Sequence, residues 1–170
     1  MGNDSVSRTD FGSPGKSVKE IEDIFDEATN QAKQEIEKEQ KEHRVRNVFI
    51  SFHHEDENQV DFLRMQAKRD EYNLEFRDHS VKERIDEKWR QEVREKISGT
   101  SATIVMIGEH TVERPNVLFE INESYSQGKK VIGVRIYGDK NHTIPEPMIK
   151  NNASIVQWKL SEIQTELDKP

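Results

Sequence analysis

The chain has 170 residues, 32% of them hydrophobic and 35% charged, with a formal net charge of −7 and no cysteine. That length holds one ordinary domain plus an appendage, and the missing thiols exclude structural disulfides, thiol catalysis, iron–sulfur clusters and thiolate zinc sites and point to the cytoplasm. An isoelectric point near 5.5 with interleaved charges argues against a nucleic-acid partner.

Residues 1–15, rich in Gly, Ser, Asp and Asn, read as a flexible tail that buries too little surface to offset the entropy of ordering. The start of the chain has neither a basic segment followed by an apolar one nor a myristoylation pattern, so no export signal or lipid anchor is expected. Residues 16–44 form an appended helical segment. Ser17 and Glu20 make a capping-box pattern, and Val18, Ile21, Ile24, Phe25, Ala28, Ala32 and Ile36 recur at helical spacing, predicting one helix from Ser17 to His43.

From Val45 the pattern alternates β-branched runs with helical periods, the mark of a parallel sheet with crossover helices. Residues 45–160 are assigned to this domain and 161–170 to a C-terminal helix or tail. Strands are predicted at 47–52, 73–77, 102–107, 130–136 and 154–158. Helices are predicted from Asp56 to Arg69 with Asp56 as N-cap, through Ile85, Trp89, Val93 and Ile97 to a stop at Gly99, and from Pro115 through Leu118, Ile121 and Tyr125 to a stop at Gly128. The stretch 139–152, with Pro145, Pro147 and several Asn, reads as loop. The longest apolar run, Ala102 to Ile107, is far short of the ~20 residues of a membrane span, so no membrane partner is expected.

Five strands with interleaved helices predict a flavodoxin-like doubly wound α/β sheet, order 2-1-3-4-5, whose ligands bind at the carboxyl ends of strands 1 and 3. The residues at those ends are Ser51, Phe52, His53 and His54 after strand 1, Asp78 and His79 after strand 2, and Gly108 and His110 after strand 3, with Arg114, Asn116 and Glu120 at the next helix. His53, His54, Glu55 and Asp56 invite a metal reading. It is set aside, because adjacent residues on a strand end are expected to diverge and catalytic metals draw on separated positions. Phosphate loops, the Gly-x-Gly-x-x-Gly turn, an acidic end to strand 3 and a nucleophile elbow are all missing, which excludes nucleotide triphosphatases, dinucleotide oxidoreductases, phospho-acceptor receivers and Ser-His-Asp hydrolases.

Val48-Phe49-Ile50-Ser51-Phe52-His53-His54-Glu55-Asp56 resembles the first box of TIR domains, and Phe76-Arg77-Asp78 the start of the second, with His79-Ser80 in place of Pro-Gly. The helix at Arg114 to Ile121 resembles the one carrying the Trp-x-x-x-Glu motif of TIR enzymes; Glu120 takes the Glu position and Asn116 the Trp position. With Gly128 to Val134, these segments are most similar to the TIR-like domain of bacterial Thoeris anti-phage proteins. The resemblance implies an enzyme that consumes NAD as substrate, needs no cofactor, releases nicotinamide and makes an ADP-ribose-derived signal for a downstream effector, with self-association.

Glu120 is then the catalytic carboxylate, expected ionised at neutral pH and placed to stabilise positive charge on the ribose. Ser51 and Phe52 suit a ribose or nicotinamide face, although Phe52 equally suits packing under a loop. His53 offers a polar contact, Arg114 a cation for the pyrophosphate, and Asp78 pairs with Arg77 or across an interface. A non-catalytic assembly module is the alternative reading.

Overall fold

The computed structural model of the chain describes residues 17–43, 45–70, 72–78 and 85–170. The expected tail at 1–15 and the His79-Ser80 departure lie outside the described residues. The chain divides into two compact units, Met1–His43 and Arg44–Pro170.

In the first unit, helix α1 spans Val18–His43. Its capping box forms as expected: the Ser17 amide donates to Glu20 Oε2 at 2.7 Å, and the Glu20 amide to Ser17 Oγ at 3.3 Å. Two N-terminal donors that no turn of the helix can satisfy are thereby paired.

The second unit contains β1 (Arg46–Ser51), α2 (Glu57–Arg69), β2 (Leu74–Arg77), α3 (Glu87–Ser98), β3 (Ala102–Ile107), α4 (Pro115–Ser126), β4 (Lys130–Arg135), α5 (Glu146–Lys150), β5 (Ser154–Gln157) and α6 (Leu160–Asp168). All pairings are parallel, in the order β2-β1-β3-β4-β5. Every residue of β3 is buried, because a central parallel strand is covered by helices on both faces.

Alternation along the strands sorts two apolar layers. On one face Val48, Ile50 and Phe52 join Ile104, Met106, Val60, Leu63, Ile163 and Leu167, from α2 and α6. On the other, Val105, Ile107, Val117, Ile121 and Met148 form one cluster, and Phe49 packs with Trp89, Val93 and Ile97 of α3 in another.

One expectation is corrected here. The stretch 139–152 is not all loop: Pro145 and Pro147 stand at the start of α5, where a missing amide costs no helical bond, and Met148 anchors this short helix in the core. Gly99 is the C-cap of α3, as expected, with an ordinary φ of −79°. The left-handed cap is at Gly128, with φ 66° and its amide bonded to the Tyr125 carbonyl at 2.9 Å.

Gly133 in β4 lets α5 approach: a Cβ there would lie 2.5 Å from Ile155 Cδ1, 2.6 Å from Ile107 Cδ1 and 3.0 Å from Met148 Cε. Gly133→Ala is therefore expected to lower unfolding stability by about 1–3 kcal/mol through overpacking, read as a reduced urea midpoint at unchanged slope.

Candidate functional site

β1 ends at Ser51, in register with Val105 of β3, and the sheet reverses its winding between these two strands. Helix α4 crosses this point, starting at Pro115 after Arg114 in the N-cap position. Its buried residues are Val117, Glu120, Ile121 and Ser124, not the expected Leu118, which is half-buried. Two of those four are polar, and each has a partner on the sheet.

The Ser51 hydroxyl donates to Glu120 Oε2, both groups being buried. One turn later Ser124 Oγ donates to the Glu120 carbonyl at 2.7 Å and bonds Thr103 Oγ1 of β3 at 2.7 Å. This ladder ties α4 to β1 and β3 and fixes where the Glu120 carboxyl lies. Neither Ser124 nor Thr103 stood out in the sequence; a small hydroxyl residue one turn after a buried Glu was the available signal.

Burial pushes Glu120 up to about 8; the Ser51 hydrogen bond opposes this and the charge of Asp78 adds to it. The expectation of an ionised carboxylate at neutral pH is thus corrected. At neutral pH the unliganded domain holds this carboxyl mainly protonated, since among the described residues burial outweighs the Ser51 hydrogen bond.

Asp78, just past β2, pairs with Arg64 of α2 at 2.9 Å, and Lys96 of α3 donates to its carbonyl at 2.9 Å. Of the two pairings weighed for Asp78, the one with Arg77 gives way among the described residues to these contacts across the fold. Ser51 and Phe52, expected together on the pocket wall, lie on opposite faces. Successive strand side chains alternate, and Phe52 sits in the core layer with Val60 and Leu63.

At the mouth of β3, the Gly108 amide donates to Thr111 Oγ1 at 2.8 Å, and Thr111 Oγ1 donates to the Met106 carbonyl at 3.1 Å. The Gly108 amide is therefore used internally. A Cβ on Gly108 would stand 2.8 Å from Asp56 Oδ2. Asp56 occupies the N-cap position of α2 but its side chain makes no cap bond, contrary to expectation. Burial raises its carboxyl above the usual range.

Arg114 is half-buried, and its buried Nε has no hydrogen-bond partner among the described residues. Asn116 lies half-buried on the first turn of α4. His53 is 2% exposed, and its ring meets His54 edge-on at 4.1 Å between centroids, with His110 at 6.3 Å. Burial first, then the Arg114 charge, lowers its pKa and keeps the imidazole neutral.

A parallel sheet wound in the order β2-β1-β3-β4-β5, with helices between its strands, defines a flavodoxin-like α/β domain. Residues 49–141, more than half of the chain, match the family model described as Thoeris protein ThsB, TIR-like domain, and the chain belongs to that family. Among solved structures, the TIR domain of the Toll-related receptor TRR-2 from Hydra magnipapillata matches with a TM-score of 0.48 at 13% identity, over 69% of this chain and 88% of that one. A search of curated proteins finds no match. No helix among the described residues is long and apolar enough to cross a membrane.

Proposed function

We propose that this chain is a TIR-type enzyme of anti-phage defence that breaks the bond between nicotinamide and ribose in NAD and releases an ADP-ribose-derived signal, read by a downstream effector. The observation that carries the reading is the buried Glu120 carboxyl, held by Ser51 at the β1/β3 switch point.

The electron pair of the C1′–N bond leaves with the pyridinium nitrogen, which departs neutral without acid assistance, and positive charge passes to the ribose. An ionised Glu120, buried and hydrogen-bonded by Ser51, stabilises that charge. Water, or a nucleophile within the same molecule, then captures C1′.

The raised pKa fits this use. A pyridinium brought beside a buried carboxyl favours its ionised form, so the substrate itself helps to generate the carboxylate. Arg114, with an unpartnered buried nitrogen at the start of α4, is the residue for the pyrophosphate.

The test is nicotinamide release from NAD by the full chain at high concentration, with and without extract of phage-infected cells, beside Glu120→Gln. Release that disappears in the variant supports the enzyme. Equal silence of both proteins in every condition, with partner binding intact, returns the domain to the assembly-module reading, which Asn116 at the Trp position and His79-Ser80 in the second box favour.

A further inference from the structure

His53, His54 and Glu55 were expected to diverge. They do not, because the backbone leaves the strand after Ser51 and tightens into a 3-10 turn over His54–Asp56. One ligand atom from each of the three residues lies within 4.8 Å of the others.

The second observation is independent of that clustering. His53 is buried and its Nε2 has no hydrogen-bond partner among the described residues, an arrangement that costs free energy unless something fills it. That nitrogen lies 3.4 Å from Glu55 Oε2, too far for a good hydrogen bond. It is, however, the spacing of two ligands on one tetrahedral ion, since bonds of ~2.0–2.1 Å at tetrahedral angles put ligand atoms about 3.3–3.5 Å apart.

We infer that His53, His54 and Glu55 form a binding site for a divalent transition-metal ion of the zinc class. Two imidazoles and one carboxylate are a donor set suited to Zn2+ or Co2+, and they are poor ligands for Mg2+, which prefers oxygen. His54 and Glu55 are exposed, so the ion has a path from solvent, while the buried His53 supplies a fixed donor. Three protein donors leave a coordination position open to water or to an oxygen of a ligand. The proposal is separate from the NAD reading and does not depend on it.

The test uses the full chain, freed of metal with a chelator and titrated with Co2+ by visible absorption and with Zn2+ by calorimetry. One equivalent is expected to bind, with visible bands of tetrahedral or five-coordinate cobalt. His54→Ala and Glu55→Gln, at exposed positions that leave the fold intact by circular dichroism, are each expected to weaken binding by about tenfold or more. His110→Ala, which removes a neighbouring ring outside the three-residue set, is expected to retain binding. The proposal is overturned if no saturable binding occurs, or if both His54→Ala and Glu55→Gln bind as tightly as the parent chain.

Discussion

Glu120→Gln is expected to stabilise the domain at neutral and alkaline pH. Unfolded, Glu120 loses its proton near 4.5; in the folded domain it does so near 8. Between those values the folded state holds a proton that the unfolded state has released, so stability from this residue is greatest below 4.5 and falls as pH rises towards 8. Glutamine has no proton to lose, keeps the size of the side chain and can still accept the Ser51 hydroxyl. The variant should match the parent at pH 4 and exceed it at pH 8 by on the order of 4 kcal/mol, a rise of about 8–16 °C in melting temperature. Melting curves at the two pH values check this. Equal melting temperatures at pH 8 would mean that the carboxyl is not held protonated by burial.

The same substitution should remove activity. A neutral amide cannot offset positive charge on the ribose, and loss of one preorganised electrostatic partner in a dry site costs about a thousandfold in rate, ~4 kcal/mol of transition-state stabilisation. If Glu120 acts on charge that develops only in the transition state, kcat is expected to fall far more than the affinity for NAD changes. Nicotinamide release and a direct NAD-binding measurement on both proteins separate the two quantities. Gain of stability with loss of turnover is the pattern of a group kept for chemistry at the expense of folding. A buried Glu retained for packing alone would give the first effect without the second.

Much of the fold was legible because burial on both faces leaves an unmistakable trace. The six residues Ala102 to Ile107 could only be a central strand, and Pro115 marked the first turn of α4. The site was harder to read for the reason that makes it a site. On α4 the face against the sheet carries Glu120 and Ser124, whose partners Ser51 and Thr103 lie far away in sequence, so hydrophobic periodicity marked Leu118 in place of Val117. The direction of the Glu120 pKa was equally hidden, since a model-peptide value contains no burial.

Local geometry accounts for the other misses. Phe52 follows Ser51 by one residue and therefore faces the opposite layer, which strict alternation could have told. The clustering of His53, His54 and Glu55 depends on a 3-10 turn that no residue pattern announced. Asp78 found Arg64, on another element, instead of its neighbour Arg77. The helix within 139–152 was concealed by prolines that end helices elsewhere and begin this one.

The most direct measurement is the pH dependence of kcat/KM for nicotinamide release from NAD between pH 6 and pH 9, for the parent chain and for Ser51→Ala. This parameter reports the free protein's ionisations. It should climb about tenfold per pH unit and level off near 8, and the midpoint should lie higher in Ser51→Ala, because the Ser51 hydrogen bond favours the ionised carboxyl. A flat or falling profile over this range, or a midpoint that Ser51→Ala leaves in place, would contradict a catalytic role for the Ser51–Glu120 pair.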